Sequence, residues 1–320
     1  MKSIVCLDGY TLNPGDHSWQ PIECLGKFTC YDRSLDGIEQ VIERAKNANI
    51  LLTNKTAITP QVIDACSNLE CIAVLATGYN VVDYQYARKK NIPVVNVPAY
   101  GTDTVAEMVF AMIFRLARNI ELNSTDVREN LGWSNSIEWT YWLTPQTELA
   151  GKTIGIVGFG RIGERVAEIA NVFKMKVISY NRSPKAPSFP VEFVELEELL
   201  QRADIVSLHC PVFPETENMI NKQKLLLMKP SAMFINTARG QLVVEQDLAD
   251  ILNQGEIAGA ALDTLQKEPP AKDNPLLTAK NCVITPHIAW ATLDARKRIV
   301  NTVAENIQAY IDGKPQNVIN

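Results

Sequence analysis

The sequence has few of the side chains that hold metal ions or build disulfide frameworks. It contains three histidines and seven cysteines, with no two cysteines separated by two residues and no zinc-like spacing of cysteine and histidine. We therefore predict no bound metal. The number of cysteines is odd and most of them lie in apolar runs, which predicts free thiols in a reducing cytoplasm.

Long apolar segments and an excess of positive charge are also lacking. The longest apolar helix candidate, Met108–Phe114, is flanked by Glu107 and Arg115 and is too short to cross a bilayer. The strand-like run near the amino terminus is too short for a signal peptide. A net charge of −5 and a pI near 5.4 argue against nucleic acid or an anionic membrane as the main partner. We expect a protein that acts on a small molecule.

A glycine motif in the middle of the chain is the strongest local signal. The apolar run Thr153–Val157 leads into GFGRIG at Gly158–Gly163, and an amphipathic stretch follows. The first glycine permits a tight turn, the second lets a pyrophosphate approach the backbone, and the third lets the helix pack close to the strand. In this strand, turn and helix context the motif predicts a dinucleotide-binding fold.

The rest of the chain alternates between strand-like and helical patterns. Short β-branched runs and helical periodicity alternate over residues 3–97, and a second such series begins at Lys152. A length of 320 residues favours two domains. We predict an α/β protein in which a doubly wound parallel sheet (Rossmann) cofactor domain, residues 100–289, is inserted in a smaller flavodoxin-like α/β substrate domain, residues 1–99 and 290–320. The ligand cleft would lie between the two.

Two segments between these series have their own signals. The capping-box sequence TVAE at residues 104–107 predicts a helix over Val105–Ile120, apolar on most faces. Residues 124–148 are polar but include four large aromatic side chains, at positions 133, 139, 141 and 142. Such aromatics usually pack, so we expect a lid or an interface segment.

Three late predicted strands should end at one edge of the sheet, where an open parallel sheet binds its ligands. Each is followed by an ionisable side chain: Arg239, Glu268 and His287, respectively. Arginine offers a planar fork for a carboxylate, and histidine can exchange a proton with a carbonyl or hydroxyl oxygen. Glu268 would orient the imidazole and favour its charged form. The set suits reduction of a 2-oxo acid by hydride from a nicotinamide.

Several stretches resemble one enzyme family over nearly the full chain. They are ATGYNVVD at 76–83, NIPVVNVP at 91–98, TVAE at 104–107, LAGKTIGIVGFGRIG at 149–163, NTARG at 236–240 and PHIA at 286–289. On these residues the chain resembles the D-isomer-specific 2-hydroxyacid dehydrogenases. The resemblance implies that Arg239, Glu268 and His287 are catalytic, and that the backbone of Thr77, Gly78 and Tyr79 binds the substrate carboxylate.

The resemblance also implies a set of cofactor contacts and a homodimer. With the glycines Gly158, Gly160 and Gly163, the candidate cofactor residues are Thr104, Arg161, Ile162, Asn181, Arg182, Ser183, Cys210, Pro211, Thr216, Thr237, Ala238, Asp263 and Ala289. NAD-specific members carry an acidic residue at the end of the second strand, where this chain has Asn181 followed by Arg182 and Ser183. Without a carboxylate there, we hypothesise that NADP(H) is accepted or preferred over NAD(H).

Within the family the chain is most similar to the glycerate dehydrogenase and hydroxypyruvate reductase branch. The stretches that carry this similarity are DGYTLN at 8–13 and PHIAW at 286–290. It implies interconversion of hydroxypyruvate and D-glycerate. Glyoxylate or a bulkier 2-oxo acid is the alternative substrate, and formate and phosphite dehydrogenases share the fold. In a different class, relatives act as dinucleotide-sensing binding proteins in transcriptional repression.

Overall fold

The computed structural model describes residues 1–183 and 186–320. The chain divides into two compact units, residues 1–101 together with 290–320, and residues 102–289. Within these described ranges each unit contains one sheet, of five strands in the first and seven in the second. Among the described residues, none of the helices combines the length and the apolar character that crossing a membrane requires.

The first unit is built on a parallel sheet with the strand order β2-β1-β3-β4-β5, which is the order of flavodoxin-like sheets. Its strands are β1 (Ser3–Cys6), β2 (Lys27–Cys30), β3 (Ile50–Thr53), β4 (Cys71–Val74) and β5 (Val94–Val95). Its helices are α1 (Gln20–Glu23), α2 (Ile38–Ala45), α3 (Pro60–Ala65), α4 (Tyr84–Lys89) and α11 (Leu293–Ile311). The two central strands β3 and β4 are buried at every residue, as expected for a sheet covered on both faces.

The second unit begins with α5 (Thr102–Arg118) and α6 (Ile120–Arg128). Its parallel sheet has the order β12-β11-β10-β9-β6-β7-β8. The strands are β6 (Thr153–Val157), β7 (Lys176–Tyr180), β8 (Glu192–Phe193), β9 (Ile205–Leu208), β10 (Met233–Asn236), β11 (Gly259–Leu262) and β12 (Cys282–Ile284). The helices that follow are α7 (Arg161–Val172), α8 (Leu196–Arg202), α9 (Lys222–Leu225) and α10 (Glu245–Gln254). The order reverses between β6 and β9, which makes this the switch point of a doubly wound sheet.

Apolar side chains cover both faces of the second sheet. One core cluster joins α5 and α7 to residues of β6 and β10, and the other joins α8, α9 and α10 to the opposite face. In α7 the buried residues Gly163, Val166, Ala167 and Ala170 follow a helical spacing. In α11, the Thr292 hydroxyl accepts a hydrogen bond from the Ala295 amide at 3.2 Å and caps the helix.

The bounds of α5 and the presence of β2 differ from the expectations. The capping box at residues 104–107 is wrong, because α5 begins at Thr102 and Thr104 lies buried in its first turn. The helix also ends at Arg118, before Asn119 adopts a left-handed backbone with φ of 42°. Strand β2 was not predicted. It is a short edge strand with three exposed residues of four, so the sequence carries no apolar run for it.

Candidate active site

The glycine turn follows β6 at the switch point of the second sheet. Gly158 has a φ of +95°, and a Cβ there would lie 2.6 Å from the Cys210 amide nitrogen. A Cβ on Gly163 would collide with the Gly158 carbonyl oxygen and lie 3.1 Å from Ile156 Cγ2. A Cβ on Gly160 would meet nothing within 4 Å. Two glycines are therefore required by the fold itself, whereas Gly160 keeps space free in front of α7.

That space has the features of an anion site for a dinucleotide. It lies at the amino terminus of α7, a helix of twelve residues with Arg161 exposed at its first position, where backbone N–H groups and the helix dipole favour phosphate. Ile162 is half-buried against the core and does not fill the space.

Asn181 follows β7 and joins the turn. Its Oδ1 accepts a hydrogen bond from the Phe159 amide at 3.0 Å, and its Nδ2 donates to the Ser183 carbonyl at 2.5 Å. The guanidinium of Arg182 lies 5.4 Å from the centroid of the Phe213 ring. Arg182 and Ser183 are exposed. Residues 181–183, at the end of β7, thus carry an amide, a cation and a hydroxyl, and no carboxylate is among them.

The loop after β9 faces the glycine turn from the neighbouring strand. The carbonyl carbon of His209 and the amide of Cys210 lie against Gly158, and Thr216 Oγ1 donates to the Pro211 carbonyl at 2.9 Å. His209 Nε2 lies 2.8 Å from Ser207 Oγ, and burial lowers the pKa of His209 to about 3. The ring is therefore neutral, and its contact with Ser207 joins it to β9.

Two buried hydroxyls at the same edge of the sheet lack protein partners. Among the described residues, Thr237 Oγ1 after β10 and Thr264 Oγ1 after β11 form no hydrogen bond. A buried hydroxyl without a partner is costly, and such groups are usually satisfied by water or a ligand. Together with the open space at Gly160, Thr237 fits a bound dinucleotide.

Arg239 is presented by a short loop after β10. The Asn236 side chain fixes that loop, because its Nδ2 donates to the Arg239 carbonyl at 2.8 Å and its Oδ1 accepts from the Ala238 amide at 3.0 Å. The guanidinium is exposed, and it forms no ion pair with any described residue. A cation held in this way can bind a carboxylate.

Glu268 and His287 form a direct pair. Glu268 Oε2 lies 2.6 Å from His287 Nδ1, and Glu268 Oε1 accepts from the Leu265 amide at 3.1 Å. The pairing uses Nδ1 and leaves Nε2 to exchange a proton with a ligand. His287 itself has a φ of +54°, in the left-handed region that few side chains adopt.

Asp263 holds the loop that carries His287. Its Oδ1 accepts from the Thr285 hydroxyl at 2.5 Å and the Ile288 amide at 2.8 Å, and its Oδ2 accepts from the Ala289 amide at 2.8 Å. Burial raises the pKa of Asp263, against the lowering effect of these hydrogen bonds. These hydrogen bonds fix the turn that contains His287. The cofactor contact that the sequence predicts for Asp263 and Ala289 stays a prediction.

A hydrogen-bond network that the sequence did not indicate fixes the loop before Glu268. Gln266 is its centre: its amide donates to Glu245 Oε1 at 2.7 Å, its Nε2 donates to the Val243 carbonyl at 2.7 Å, and its carbonyl accepts from Gln241 Nε2 at 3.0 Å. A Cβ on Gly240 would collide with the Leu265 backbone. The loops that carry Arg239 and Glu268 are therefore in direct contact. Residues 241–245 have the sequence QLVVE, and no local pattern in it predicts this network.

The segment predicted to bind the substrate carboxylate lies in the first unit, after β4. Thr77 Oγ1 donates to the Val97 carbonyl and the Thr77 carbonyl accepts from Asn96 Nδ2, at 2.7 and 2.8 Å. Gly78 is exposed, and in the described ranges the amides of Gly78 and Tyr79 donate no hydrogen bond. These two N–H groups are available to an anion. Clusters of three or more potential metal ligands are absent from the described residues.

Comparisons with known proteins bear on the family and the fold. Residues 110–289 match the NAD binding domain of the D-isomer specific 2-hydroxyacid dehydrogenases. The chain is 45% identical over 320 residues to a hydroxypyruvate reductase from Blautia hydrogenotrophica, covering 99% of each. It is 38% identical over 283 residues to a glycerate dehydrogenase from Methylorubrum extorquens, covering 88% of each. A solved acyclic imino acid reductase in complex with NADPH and D-Arg has 35% identity and a TM-score of 0.86, covering 99% of this chain and 100% of that one.

The doubly wound sheet and its glycine turn define an oxidoreductase that uses a nicotinamide dinucleotide. The chain belongs to the D-isomer specific 2-hydroxyacid dehydrogenase family, whose substrates are small 2-hydroxy and 2-oxo acids. The predicted family, the α/β fold and the enzyme class are confirmed.

Proposed function

We propose that the enzyme reduces hydroxypyruvate to D-glycerate. The observation that carries the proposal is the Glu268–His287 pair at 2.6 Å, with Nε2 of the imidazole left for the substrate oxygen. The names of the two relatives, hydroxypyruvate reductase and glycerate dehydrogenase, support this substrate.

The roles of the side chains follow from their chemistry. Arg239 binds the substrate carboxylate in a charge-assisted contact. In the first unit, the amides of Gly78 and Tyr79 are proposed to donate to an anionic group. His287 gives its Nε2 proton to the carbonyl oxygen as that oxygen gains charge, while Glu268 stabilises the imidazolium and fixes its orientation. The glycines of the turn, Thr237 and the residues at 181–183 would hold a nicotinamide dinucleotide, which would supply the hydride when bound.

A preference for NADPH over NADH is proposed from the residues after β7. The chain has Asn181 where NAD-specific members have an acidic residue, and its Oδ1 accepts from the Phe159 amide. Residues 181–183 therefore offer no carboxylate that could accept the ribose 2′-hydroxyl or repel a 2′-phosphate. Arg182 and Ser183 are exposed beside it and offer a cation and a hydroxyl. The NADPH in the related imino acid reductase supports this proposal.

A homodimer is proposed from the apolar surface of residues 120–143. Helix α6 has no buried residue, and Ile137, Trp139 and Trp142 are 99%, 88% and 66% exposed. An open groove of about 670 Å³ lies between residues 118 and 146. An apolar surface of this kind marks an interface, and a second copy of the chain is its proposed occupant. Light scattering should give twice 35.6 kDa, and Trp139→Ser should shift the protein toward the monomer; a monomeric wild type would exclude the dimer.

A reducing cytoplasm remains the proposed location. All seven cysteines are free thiols, and proteins exposed to an oxidising compartment usually pair them.

The proposed function is tested by initial rates of hydroxypyruvate reduction with NADPH and with NADH, each at limiting concentration. Fast turnover that favours NADPH is expected. Fast turnover that favours NADH would keep the reaction and reject the cofactor preference. Turnover on glyoxylate alone would replace the substrate. No turnover on any 2-oxo acid, with dinucleotide binding intact, would point to a sensing protein.

A further inference from the structure

Two cysteines face each other on neighbouring strands of the first sheet. Cys6 ends β1, Cys30 ends β2, and the parallel register pairs the two residues directly. Neighbouring strands lie about 4.7–4.9 Å apart, and a disulfide bridges Cα atoms about 4.4–6.8 Å apart. The two backbones are therefore already at the spacing that a disulfide needs.

The side chains of this pair also meet. Both sulfur atoms lie against Gly9, where an added Cβ would collide with Cys30 Sγ and lie 3.4 Å from Cys6 Sγ. A hydrogen bond between the two side chains raises the pKa of Cys6 well above its ordinary value and lowers the pKa of Cys30. Cys6 thus keeps its proton, and the thiolate forms first on Cys30.

The two thiols differ in access. Cys30 is exposed on the edge strand, whereas Cys6 is buried. A dissolved oxidant therefore reaches Cys30 first. A low pKa and exposure are the features of reactive cysteines.

We propose that Cys6 and Cys30 are a redox-active thiol pair that hydrogen peroxide converts to an intrachain disulfide. The Cys30 thiolate attacks one peroxide oxygen, the O–O bond breaks, and the products are a sulfenic acid and water after uptake of a proton. The Cys6 sulfur then attacks the Cys30 sulfur, the S–O bond breaks, and hydroxide leaves with the Cys6 proton as a second water. Both sulfurs are oxidised and peroxide is reduced to two waters.

The remaining thiols provide internal controls. Burial raises the pKa of Cys66 and Cys210 to about 11 and that of Cys71 and Cys282 to about 12, so peroxide should not attack these thiols first. Cys24 is exposed but precedes β2, at the opposite end of the strand from Cys30. Cys24 is therefore a matched control: an exposed thiol that is not paired with a cysteine on a neighbouring strand.

The two cysteines lie close to Asp8, which fixes the loop after β3 at the carboxyl ends of the strands. Two residues after Cys6, the carboxylate of Asp8 accepts hydrogen bonds from the amides of Asn54 and Lys55 at 2.8 and 2.6 Å. These residues follow β3, whose neighbour β4 leads to the proposed carboxylate site at Gly78. The disulfide would form at the edge of the sheet that carries this site.

The experiment treats the full chain with a small excess of hydrogen peroxide, then counts thiols and maps peptides without reduction. Wild type and Cys24→Ser should each lose two thiols, show a peptide linking Cys6 to Cys30, and recover both thiols with dithiothreitol. Cys30→Ser should form no such link. In Cys6→Ala, a sulfenic acid that dimedone traps should accumulate on Cys30.

Three results would overturn the proposal. They are unchanged thiols in the wild type, oxidation of Cys30 to sulfinic acid without a link, and a link from Cys30 to Cys24. Thiol counts and peptide maps do not depend on turnover, so failure of the proposed hydroxypyruvate reaction would leave this test unaffected. If Cys6→Ala does not fold, Cys30→Ser and the wild-type peptide map still decide the matter.

Discussion

The glycine turn and the catalytic edge belong to the same sheet, but different interactions position them. In the turn, backbone sterics dominate: Gly158 has a positive φ, and Gly163 leaves no room for a side chain. At the catalytic edge, side-chain hydrogen bonds dominate: Asp263 holds the histidine loop, and Gln266 holds the loop before Glu268. Adding a methyl group should therefore disturb the glycine turn, whereas the catalytic edge should be disturbed by removing a hydrogen-bond acceptor.

The largest expected effect is on turnover, from loss of the proton donor. His287→Asn should lower kcat for 2-oxo acid reduction by roughly 10²–10⁴-fold, the usual contribution of a general acid. Asparagine tolerates the left-handed backbone at this position, so the loop should keep its shape. Dinucleotide affinity, measured by fluorescence titration, should not change. A kcat equal to that of the wild type would remove His287 from the reaction.

Two alanine substitutions in the turn distinguish an effect on stability from an effect on dinucleotide binding. Gly163→Ala should lower stability by about 1–3 kcal/mol, because its Cβ overpacks against the Gly158 carbonyl. Gly160→Ala should leave stability unchanged, since its Cβ enters open space, but it should weaken dinucleotide binding. Urea unfolding and dinucleotide titration of both variants measure this. Unchanged dinucleotide binding by Gly160→Ala would show that the space is not used.

The difference between the regions also explains what could be read from the sequence. The spacing of the glycines indicates where the backbone has no room for a side chain, so residues 158–163 alone predict the turn. Arg239, Glu268 and His287 were found because strand ends in a parallel sheet share an edge. The network at Gln266 was not found, because its partner Glu245 lies 21 residues away and no local pattern joins them. The left-handed backbone of His287 could not be predicted either. It lies in a turn whose residues 285, 288 and 289 donate hydrogen bonds to Asp263, which is distant in the sequence.

Replacing Asp263, which accepts the hydrogen bonds that hold the histidine loop, should lower kcat less than replacing His287. Asp263→Asn replaces one carboxylate oxygen with an NH₂ group that cannot accept from the Ile288 or Ala289 amide. We expect a loss of about 1–3 kcal/mol in unfolding free energy, the cost of a buried group left without its partner, together with a lower kcat. The exposed Asp273→Asn is the matched control. Equal unfolding curves for both variants would contradict a structural role for Asp263.

The smallest expected effect on turnover comes from Glu268, which acts through His287. Glu268 Oε2 lies 2.6 Å from His287 Nδ1. Glu268→Gln removes the charge that stabilises the imidazolium, so kcat for 2-oxo acid reduction should fall, by less than in His287→Asn, while dinucleotide affinity stays unchanged. The amide oxygen can still accept from the Leu265 amide, which limits structural change. A kcat equal to that of the wild type would separate Glu268 from the proton transfer.

The assignment of Arg239 to the substrate carboxylate is tested most directly by steady-state kinetics of Arg239→Ala with hydroxypyruvate, alongside dinucleotide titration. Loss of a charge-assisted contact of about 1.5–3 kcal/mol should raise KM roughly 10- to 150-fold, and dinucleotide affinity should stay at the wild-type value because the glycine turn is untouched. An unchanged KM in a folded variant would mean that the carboxylate binds elsewhere, and that these three strand ends do not form the substrate site.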